Sequence, residues 1–467
     1  AIPCDNRQMG HAVGITLDRT YVLHEQLGEG GMGTVYRASH RLTGRTVAVK
    51  LVRGTGGKTV VSPAGRSSTR TSESIESRLA LAREFQVLAS LHHPNIVQVL
   101  DYGFDDTWGP YLSMELLSSP QSIVAASCAA SPAIKFERLA QLLRALFYLH
   151  RRGVIHCDLK PSNVLCIGGQ IKVVDFGIAL SGECQRNLAG TLFYMAPELL
   201  LGAEPSVASD LYAFGVLAHQ LLTGVFPYDV ESVTGMVSDL LGTRGQDTLS
   251  GEAAAFLEAH RGTYPERELL VGATYAADDL AAPVRAVLSR LLQREPADRY
   301  PDALAVLRDL SAATGLQLAE ETEATRESFL LAAALVGREQ ELARLRAALH
   351  DTESGRGGTW LVGGESGIGK SRLVDELRTL ALVQGIPVLR GQADADGGEH
   401  YALWRAVLRS LCLRSDPPAE LAAILAELLP DLAELLERTL PPAPPVPPEA
   451  RQPRLFAAIL AVCQLEI

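Results

Sequence analysis

Short segments in which apolar and polar residues alternate fill the chain from Tyr21 to about Leu116, broken once by Leu79 to Leu91, where apolar side chains recur three and four apart. A period of two marks half-buried strands and a period near 3.6 an amphipathic helix, so this region predicts a small, mostly antiparallel sheet carrying one helix. From Phe136 to about Ala312 the period changes. Leu139 to Arg151, Ser209 to Leu222 and Ala282 to Leu292 each carry an apolar stripe at helical spacing, which predicts a second, helical lobe. The acidic, polar stretch Glu320 to Ser328 reads as a linker or frayed helix, placing a boundary at 313–332 and a third unit over 333–467. In that unit Thr359-Trp360-Leu361-Val362 reads as a short apolar strand, followed by a glycine-rich turn and a helix marked by Leu373, Val374, Leu377 and Leu380. Two segments lack a period. Arg53 to Arg78, with five basic and two acidic residues among many Ser, Thr and Gly, predicts a mobile loop, and Pro441 to Pro453 predicts an extended spacer.

Composition narrows the function classes. The 467 residues allow about three domains at roughly 150 residues each, and 47% hydrophobic content is enough to bury substantial cores. Forty-three basic against 54 acidic residues leave a net charge of -11, which phosphate backbones and anionic lipid surfaces repel, so nucleic acid is not an expected ligand. Seven cysteines, odd in number and never spaced as C-x-x-C, argue against a disulfide framework or a zinc site and favour a reducing, cytoplasmic setting. Wholly apolar runs such as Phe329 to Val336 are too short to span a bilayer, and residues 1–20 lack a secretory pattern. The chain begins Ala-Ile-Pro and stops just after an apolar run, so it is expected to be a fragment of something longer.

The residues that carry chemistry gather in two constellations. In the first, Leu27-Gly28-Glu29-Gly30-Gly31-Met32-Gly33-Thr34-Val35 spells G-x-G-x-x-G-x-V, whose glycines allow a sharp turn and bring backbone N–H groups close to phosphate. A dinucleotide-binding loop shares those glycines but runs into a helix. Here Thr34-Val35-Tyr36 and Thr46-Val47-Ala48-Val49-Lys50 read as two strands of a hairpin, the context of a flap over nucleotide. Lys50 needs a carboxylate partner to hold its ammonium over phosphate oxygens. Glu84 on the predicted helix is the candidate, and a merely solvated helix acid is the plain alternative. Further along, the run from His156-Cys157-Asp158-Leu159-Lys160 to Asn163, and then Val173-Val174-Asp175-Phe176-Gly177, supplies the groups of magnesium-dependent phosphoryl transfer. Asp158 can accept a hydroxyl proton, Lys160 can hold a phosphoryl group, and Asn163 with Asp175 offers hard oxygen donors. Ala196-Pro197-Glu198, Asp210 and Asp298-Arg299 follow in order.

In these motifs and their order, residues 21–312 resemble a eukaryotic-type protein serine/threonine kinase domain of bacteria. The resemblance implies an α+β bilobal protein-kinase fold, with a small β-rich lobe over 21–116 and a large helical lobe over 117–312. It also implies ATP and Mg2+ as cofactors and a protein as substrate. Gly28, Gly30 and Gly33, in a loop that also holds Glu29, Gly31, Met32 and Thr34, would cover the phosphates. Lys50, paired to Glu84, would contact the α- and β-phosphates, Asp158 would be the catalytic base, Lys160 would steady the transferring group, and Asn163 and Asp175 would bind magnesium. Leu27, Val35, Ala48 and Leu165 would enclose the adenine, with Met114 behind it and the backbone of Glu115 and Leu117 along its edge. Glu198 would pair with Arg299, and Asp210 would brace the catalytic loop from beneath. Lys160-Pro161-Ser162-Asn163 and Gly190-Thr191 resemble the serine/threonine-specific form rather than the tyrosine-specific one.

Two features depart from the family. The residue before the catalytic Asp is usually Arg, which neutralises a phosphate on the activation segment; here it is Cys157, and a thiol offers no fixed charge. The loop Arg53 to Arg78 also lengthens the spacing from Lys50 to Glu84.

The second constellation is Gly364-Glu365-Ser366-Gly367-Ile368-Gly369-Lys370-Ser371, a G-x-x-x-x-G-K-S loop in strand-loop-helix context. Loop amides and the helix N-terminus favour phosphate, Lys370 adds charge, and Ser371 can ligate magnesium. With Val336-Gly337-Arg338-Glu339 upstream, it resembles the start of the signal-transduction ATPases found fused to bacterial kinases, so residues 333–467 are expected to form a partial α/β P-loop NTPase domain. The acidic strand that class needs is not evident. Asp394 and Asp396 follow no apolar run, and Asp431 lies after Pro430 in a helical pattern, so nucleotide binding is expected of this module while its capacity for hydrolysis is left open, the strand being placeable beyond residue 467.

The reading is an ATP- and magnesium-dependent serine/threonine kinase coupled to a nucleotide-binding module, with ATP at two sites and a C-terminal sensor region beyond the chain. The alternative is a catalytically silent kinase-fold scaffold with the P-loop unit as its switch. A third reading, ATPase as the main activity, needs the acidic strand.

Overall fold

The computed structural model describes residues 14–30, 33–52, 81, 85, 87–105, 107–175, 192–200, 202–227, 280–331, 337–384, 386–391 and 401–465. The loop Arg53 to Arg78 and residues Gly31, Met32, Glu84, Phe176, Gly177, Gly190, Thr191, Asp394 and Asp396 lie outside them. The chain divides into two compact units, one of Ala1–Phe85, Leu100–Leu116 and Leu335–Ile467, the other of Gln86–Val99 and Leu117–Ala334.

In the first unit, Thr16–Leu17 (β1), Tyr21–Gly30 (β2), Gly33–His40 (β3), Thr46–Val52 (β4), Val99–Asp105 (β5) and Gly109–Glu115 (β6) form one sheet in the order β1-β2-β3-β4-β6-β5. Val35 lies opposite Lys50, Lys50 opposite Leu112, and Ala48 opposite Met114. Residues paired across a sheet project to the same side, and side chains alternate along each strand. Val35, Ala48, Lys50, Leu112 and Met114 therefore share one face. Tyr36, Ala38, Val47, Val49, Leu51 and Tyr111 take the other, where they form a core with Leu17, Tyr21 and Leu23. Gly33 has φ of +146°, and a Cβ there would stand 1.9 Å from the Leu51 carbonyl oxygen, so the close approach of β4 admits only glycine.

The second unit carries a small sheet of Gln121–Ser122 (β7), Val164–Ile167 (β8) and Gln170–Val173 (β9) under the helices Pro132–Arg151 (α1), Val207–Thr223 (α2), Ala282–Leu291 (α3), Ala303–Thr314 (α4) and Glu323–Leu331 (α5). The apolar stripe that begins at Leu139 belongs to a longer helix because Ser131 accepts a hydrogen bond from the Ile134 amide and Pro132 occupies the first turn. Helix α2 opens on a capping box between Ser206 and Ser209 and closes on Gly224, at φ +85°. Helix α5 overlaps the stretch Glu320 to Ser328 read as a linker or frayed helix, and its polar Thr325 and Ser328 are buried.

The P-loop module, in the first unit, is built from Glu339–Glu353 (α6), Lys370–Val383 (α7), Ala402–Ser415 (α8), Ala419–Leu425 (α9) and Pro448–Gln464 (α10), with a core around Leu408, Cys412, Leu425, Leu429 and Val462. Residues Thr359–Val362 are not a strand. No described segment pairs with them, and without a ladder partner Leu361 is left 96% exposed. Helix α10 begins inside the proline run read as extended and contains Pro453; burial of Ala458, Ile459 and Val462 along one side outweighs the hydrogen bond that the proline removes. Among the described residues, no helix is long and apolar enough to cross a membrane.

Helix α2 packs on α3 at Gly215, where a Cβ would lie 2.8 Å from that of Leu291. Gly215→Val is expected to destabilise the protein by about 2 kcal/mol through overpacking, read as a lowered denaturant midpoint. An unchanged midpoint would refute the close fit.

Candidate catalytic site

Asp210, in the first turn of α2 and only 2% exposed, organises the loop His156–Asn163. Its Oδ2 accepts hydrogen bonds from the His156 amide at 2.8 Å and His150 Nε2 at 2.8 Å, and its Oδ1 from the Cys157 amide at 3.0 Å. His156 is buried. Its Nε2 faces the Val174 carbonyl at 3.3 Å and its Nδ1 accepts from the Asp158 amide at 3.3 Å, which assigns the proton to Nε2. Burial pushes its pKa below the usual imidazole value, against the opposing fields of Asp210 and Asp158, so the ring is neutral.

With the loop so fixed, Cys157 turns through φ +65° and Asp158 meets two cationic or polar donors. Its Oδ2 lies 2.8 Å from Lys160 Nζ and 3.0 Å from Asn163 Nδ2, and Asn163 Nδ2 also donates to the Asp158 carbonyl at 2.8 Å. The Val174 amide donates to the Asn163 carbonyl at 2.9 Å, which sets the next residue, Asp175 at φ +51°, beside the loop. Asn163 spends its amide nitrogen on Asp158 and turns its oxygen elsewhere, where the Ser162 hydroxyl reaches it only at 3.4 Å. An amide oxygen and a carboxylate suit magnesium, which keeps waters and phosphate oxygens in its shell and does not need a protein cage. Among the described residues no group of three His, Cys, Asp or Glu side chains could hold a metal.

The other predicted site residues lie in the first unit, apart from Leu117 and Leu165. Lys50, 4% exposed, shares its sheet face with Val35, Ala48 and Met114, and Leu27 is exposed on β2. Thr34 points the other way and is buried. Glu29 pairs with Thr34 across the hairpin, and Glu115 with Val47 at the far end of β4. Gly28 differs from Gly33: nothing lies within 4 Å of a Cβ built there, so the hairpin itself does not require glycine at 28. Leu165 is half-buried on β8 opposite Lys172. Glu84, Gly31 and Met32 lie outside the described residues.

Arg299 uses its whole guanidinium. Two nitrogens bond Glu198 at 2.7 Å each, and the remaining donors reach the carbonyls of Ala208, Gln293 and Arg294. The sequence reading missed two anchors. His150 gave no signal beyond its place at the end of an amphipathic helix. Asn95, whose amide bonds Gln141 and the Ile171 carbonyl, ties the segment before β5 to β9.

At the second constellation, Gly364, Gly367 and Gly369 have φ of +159°, +81° and +95°, conformations that favour glycine. Lys370 Nζ donates to the carbonyls of Gly364 and Glu365 at 2.9 and 2.7 Å, and Ser371 follows in the first turn of α7. Asp431 is held in a two-bond pair with Arg409.

The protein kinase domain family matches residues 21–307. The chain belongs to the protein kinase family. An AAA ATPase domain matches residues 334–465, so the kinase domain comes first and an AAA-type P-loop domain follows. Similar proteins include a probable serine/threonine-protein kinase of Streptomyces coelicolor, 37% identical over 44% of this chain and 30% of its own length. Serine/threonine-protein kinase PknA of Mycobacterium tuberculosis is 35% identical over 47% of this chain and 50% of its own. Serine/threonine-protein kinase pkn3 of Myxococcus xanthus is 31% identical over 48% of this chain and 42% of its own. The chain thus spans half or less of these relatives. Both domain matches imply ATP as a ligand.

The kinase domain also holds a buried pH-sensitive group. Burial, helped by the Arg144 and Lys172 cations, pushes His93 down to about 3 while its ring packs against Tyr148. Below its ordinary pKa of 6.5 the unfolded chain takes up a proton that the folded protein refuses until about 3. Stability is therefore full above pH 6.5 and falls as the pH drops, by at most about 1.4 kcal/mol per pH unit from this residue. His93→Asn is expected to flatten the fall in denaturant midpoint between pH 7 and pH 5; an unaltered slope would contradict this.

Proposed function

We propose that the chain is an ATP- and magnesium-dependent serine/threonine protein kinase that transfers the γ-phosphate of ATP to protein hydroxyls and is coupled to its P-loop module. The observation that carries the reading is the Asp158 carboxylate, fixed by Lys160 and Asn163 on a loop that Asp210 holds from beneath. Asp158 accepts the proton of the substrate hydroxyl. Lys160, at 2.8 Å from it, places positive charge where the phosphoryl group passes. Asn163 and Asp175 would hold magnesium, which when bound neutralises phosphate charge. Lys50 binds the nucleotide phosphates with Glu84 as its carboxylate partner. Gly28, Gly30 and Gly33, with Glu29, Gly31, Met32 and Thr34, form the covering flap, and the open space beside Gly28 supports close approach by a ligand. Leu27, Val35, Ala48, Met114 and Leu165 take the adenine, with the backbone of Glu115 and Leu117 along its edge. Gly364, Gly369, Lys370 and Ser371 form the second nucleotide site. The domain limits that fit this reading are 21–312 for the kinase, 313–332 for the linker and 333–467 for the P-loop domain.

With labelled ATP, magnesium and a generic basic protein substrate, Asp158→Asn is expected to lower phosphotransfer by about 100-fold or more, while Lys370→Ala leaves measurable transfer. Wild-type protein that binds ATP and transfers nothing would instead favour the scaffold reading.

Cys157 generates a separate expectation. Its Sγ lies 3.6 Å from the Ile155 carbonyl oxygen, and a thiol carries no cation for a phosphate on the activation segment. Activity is expected to survive complete dephosphorylation by a phosphatase. Abolished turnover would overturn that inference.

A further inference from the structure

Within the first unit, residues of the P-loop module meet residues of the small lobe through a reciprocal set of charges. Arg378 Nη2 lies 2.7 Å from Asp101 Oδ1, and Arg414 Nη1 lies 3.7 Å from Asp18 Oδ1. In the other direction, Arg41 of the lobe bonds both Glu437 Oε1 and the Leu435 carbonyl at 2.9 Å, and Arg19 donates to the Arg414 carbonyl. Each partner supplies cations and acceptors to the other.

The small-lobe acids are built into the sheet. Asp101 sits on β5, the edge strand. Asp18, in the turn between β1 and β2, accepts a hydrogen bond from the Tyr111 hydroxyl at 3.0 Å, and its amide donates to Asp105 at 2.8 Å. The Asp18 carboxylate thus meets the fields of Asp101 and Asp105 in a partly desolvated place. Arg378 and Arg414 supply the opposing charge.

We propose that the P-loop module docks on the edge of the small-lobe sheet through Arg378–Asp101, Arg414–Asp18 and Arg41–Glu437, and that α7 is the lever by which a nucleoside phosphate at the P-loop acts on that lobe. Helix α7 begins with Lys370 and Ser371 and carries Arg378 about 12 Å further along, at 1.5 Å per residue, so the phosphate-binding end and the Asp101 contact move as one rigid element. The lever rests on the reading above that the P-loop module regulates the kinase; the docking does not.

The test uses the full chain with ADP and magnesium, and hydrogen exchange followed by mass spectrometry. In the wild type, ADP is expected to slow exchange several-fold both at residues 364–371 and at residues 99–105. In Lys370→Ala both effects should vanish. In Arg378→Ala the effect at 364–371 should remain and that at 99–105 should be lost. An ADP effect at 99–105 that persists in either variant, or is absent from the wild type, overturns the lever. For the docking, Arg41→Lys followed by carbodiimide treatment should join the new amine to Glu437. Absence of that cross-link, or its undiminished yield when Arg378→Ala and Arg414→Ala are added, overturns the interface. Neither readout requires phosphotransfer, so failure of the kinase reading would appear separately, in the labelled-ATP assay.

Discussion

A single buried carboxylate holds the catalytic loop in register. Asp210 accepts from two successive backbone amides, those of His156 and Cys157, and from the His150 ring, and it sits in the first turn of α2, where the helix dipole favours negative charge. Two amides that point at one carboxylate fix the plane of the chain between them. The left-handed turn at Cys157 follows, and with it the direction in which Asp158 leaves the loop. A buried charge with all its partners is tolerable, and one that loses a partner is costly, so the loop has no inexpensive alternative path. Asp158, Lys160 and Asn163 inherit their geometry from this constraint, and the Val174 to Asn163 hydrogen bond passes it on to Asp175.

The sheet imposes a comparable constraint by parity. Lys50 pairs with Val35 on one side and Leu112 on the other, and its neighbours Val49 and Leu51 enter the aromatic core around Tyr21, Tyr36 and Tyr111. A slip of one residue would drive the ammonium into that core, so the apolar pattern of β4 also dictates where its one cation goes. Gly33 enforces the same register from the end of the hairpin, since only there does the Leu51 carbonyl exclude a side chain.

The elements legible in the sequence are those whose cause is local. Alternation in β3 and β4, the apolar stripes of α1, α2 and α3, and the short runs around Asp158 and Lys370 each depend on residues within a few positions of one another. The beginning of α1 was not legible from its stripe, because the start signal is the Ser131 cap and Pro132 rather than the apolar period. Thr359–Val362 has the composition of a strand, but a strand exists only with a neighbour to pair with, and periodicity does not report neighbours. In α10 the reverse holds: proline content spoke for an extended segment, and burial of Ile459 and Val462 from other helices decided otherwise. The charges joining the module to the small lobe, such as Arg378 and Asp101, stand 277 residues apart and carry no local mark at all.

The energies of those pairs bear on what they can do. Glu437 is 75% exposed, and Arg378 and Asp101 are each about one third exposed, so water screens them and each pair contributes on the order of 0–1 kcal/mol. Three such pairs give about 0–3 kcal/mol, far less than a hydrophobic core would. That weakness suits regulation. Coupling energies between sites commonly fall at about 1–3 kcal/mol, equivalent to roughly 5- to 150-fold in an equilibrium, and an interface held by much more could not be shifted by one bound nucleotide. The acidic cluster Asp18, Asp101 and Asp105 keeps the balance close from the other side, since its mutual repulsion offsets part of what the arginines contribute. A docking surface held by a few paired charges beside an acidic cluster is therefore of the kind that differential binding at the far end of α7 can shift.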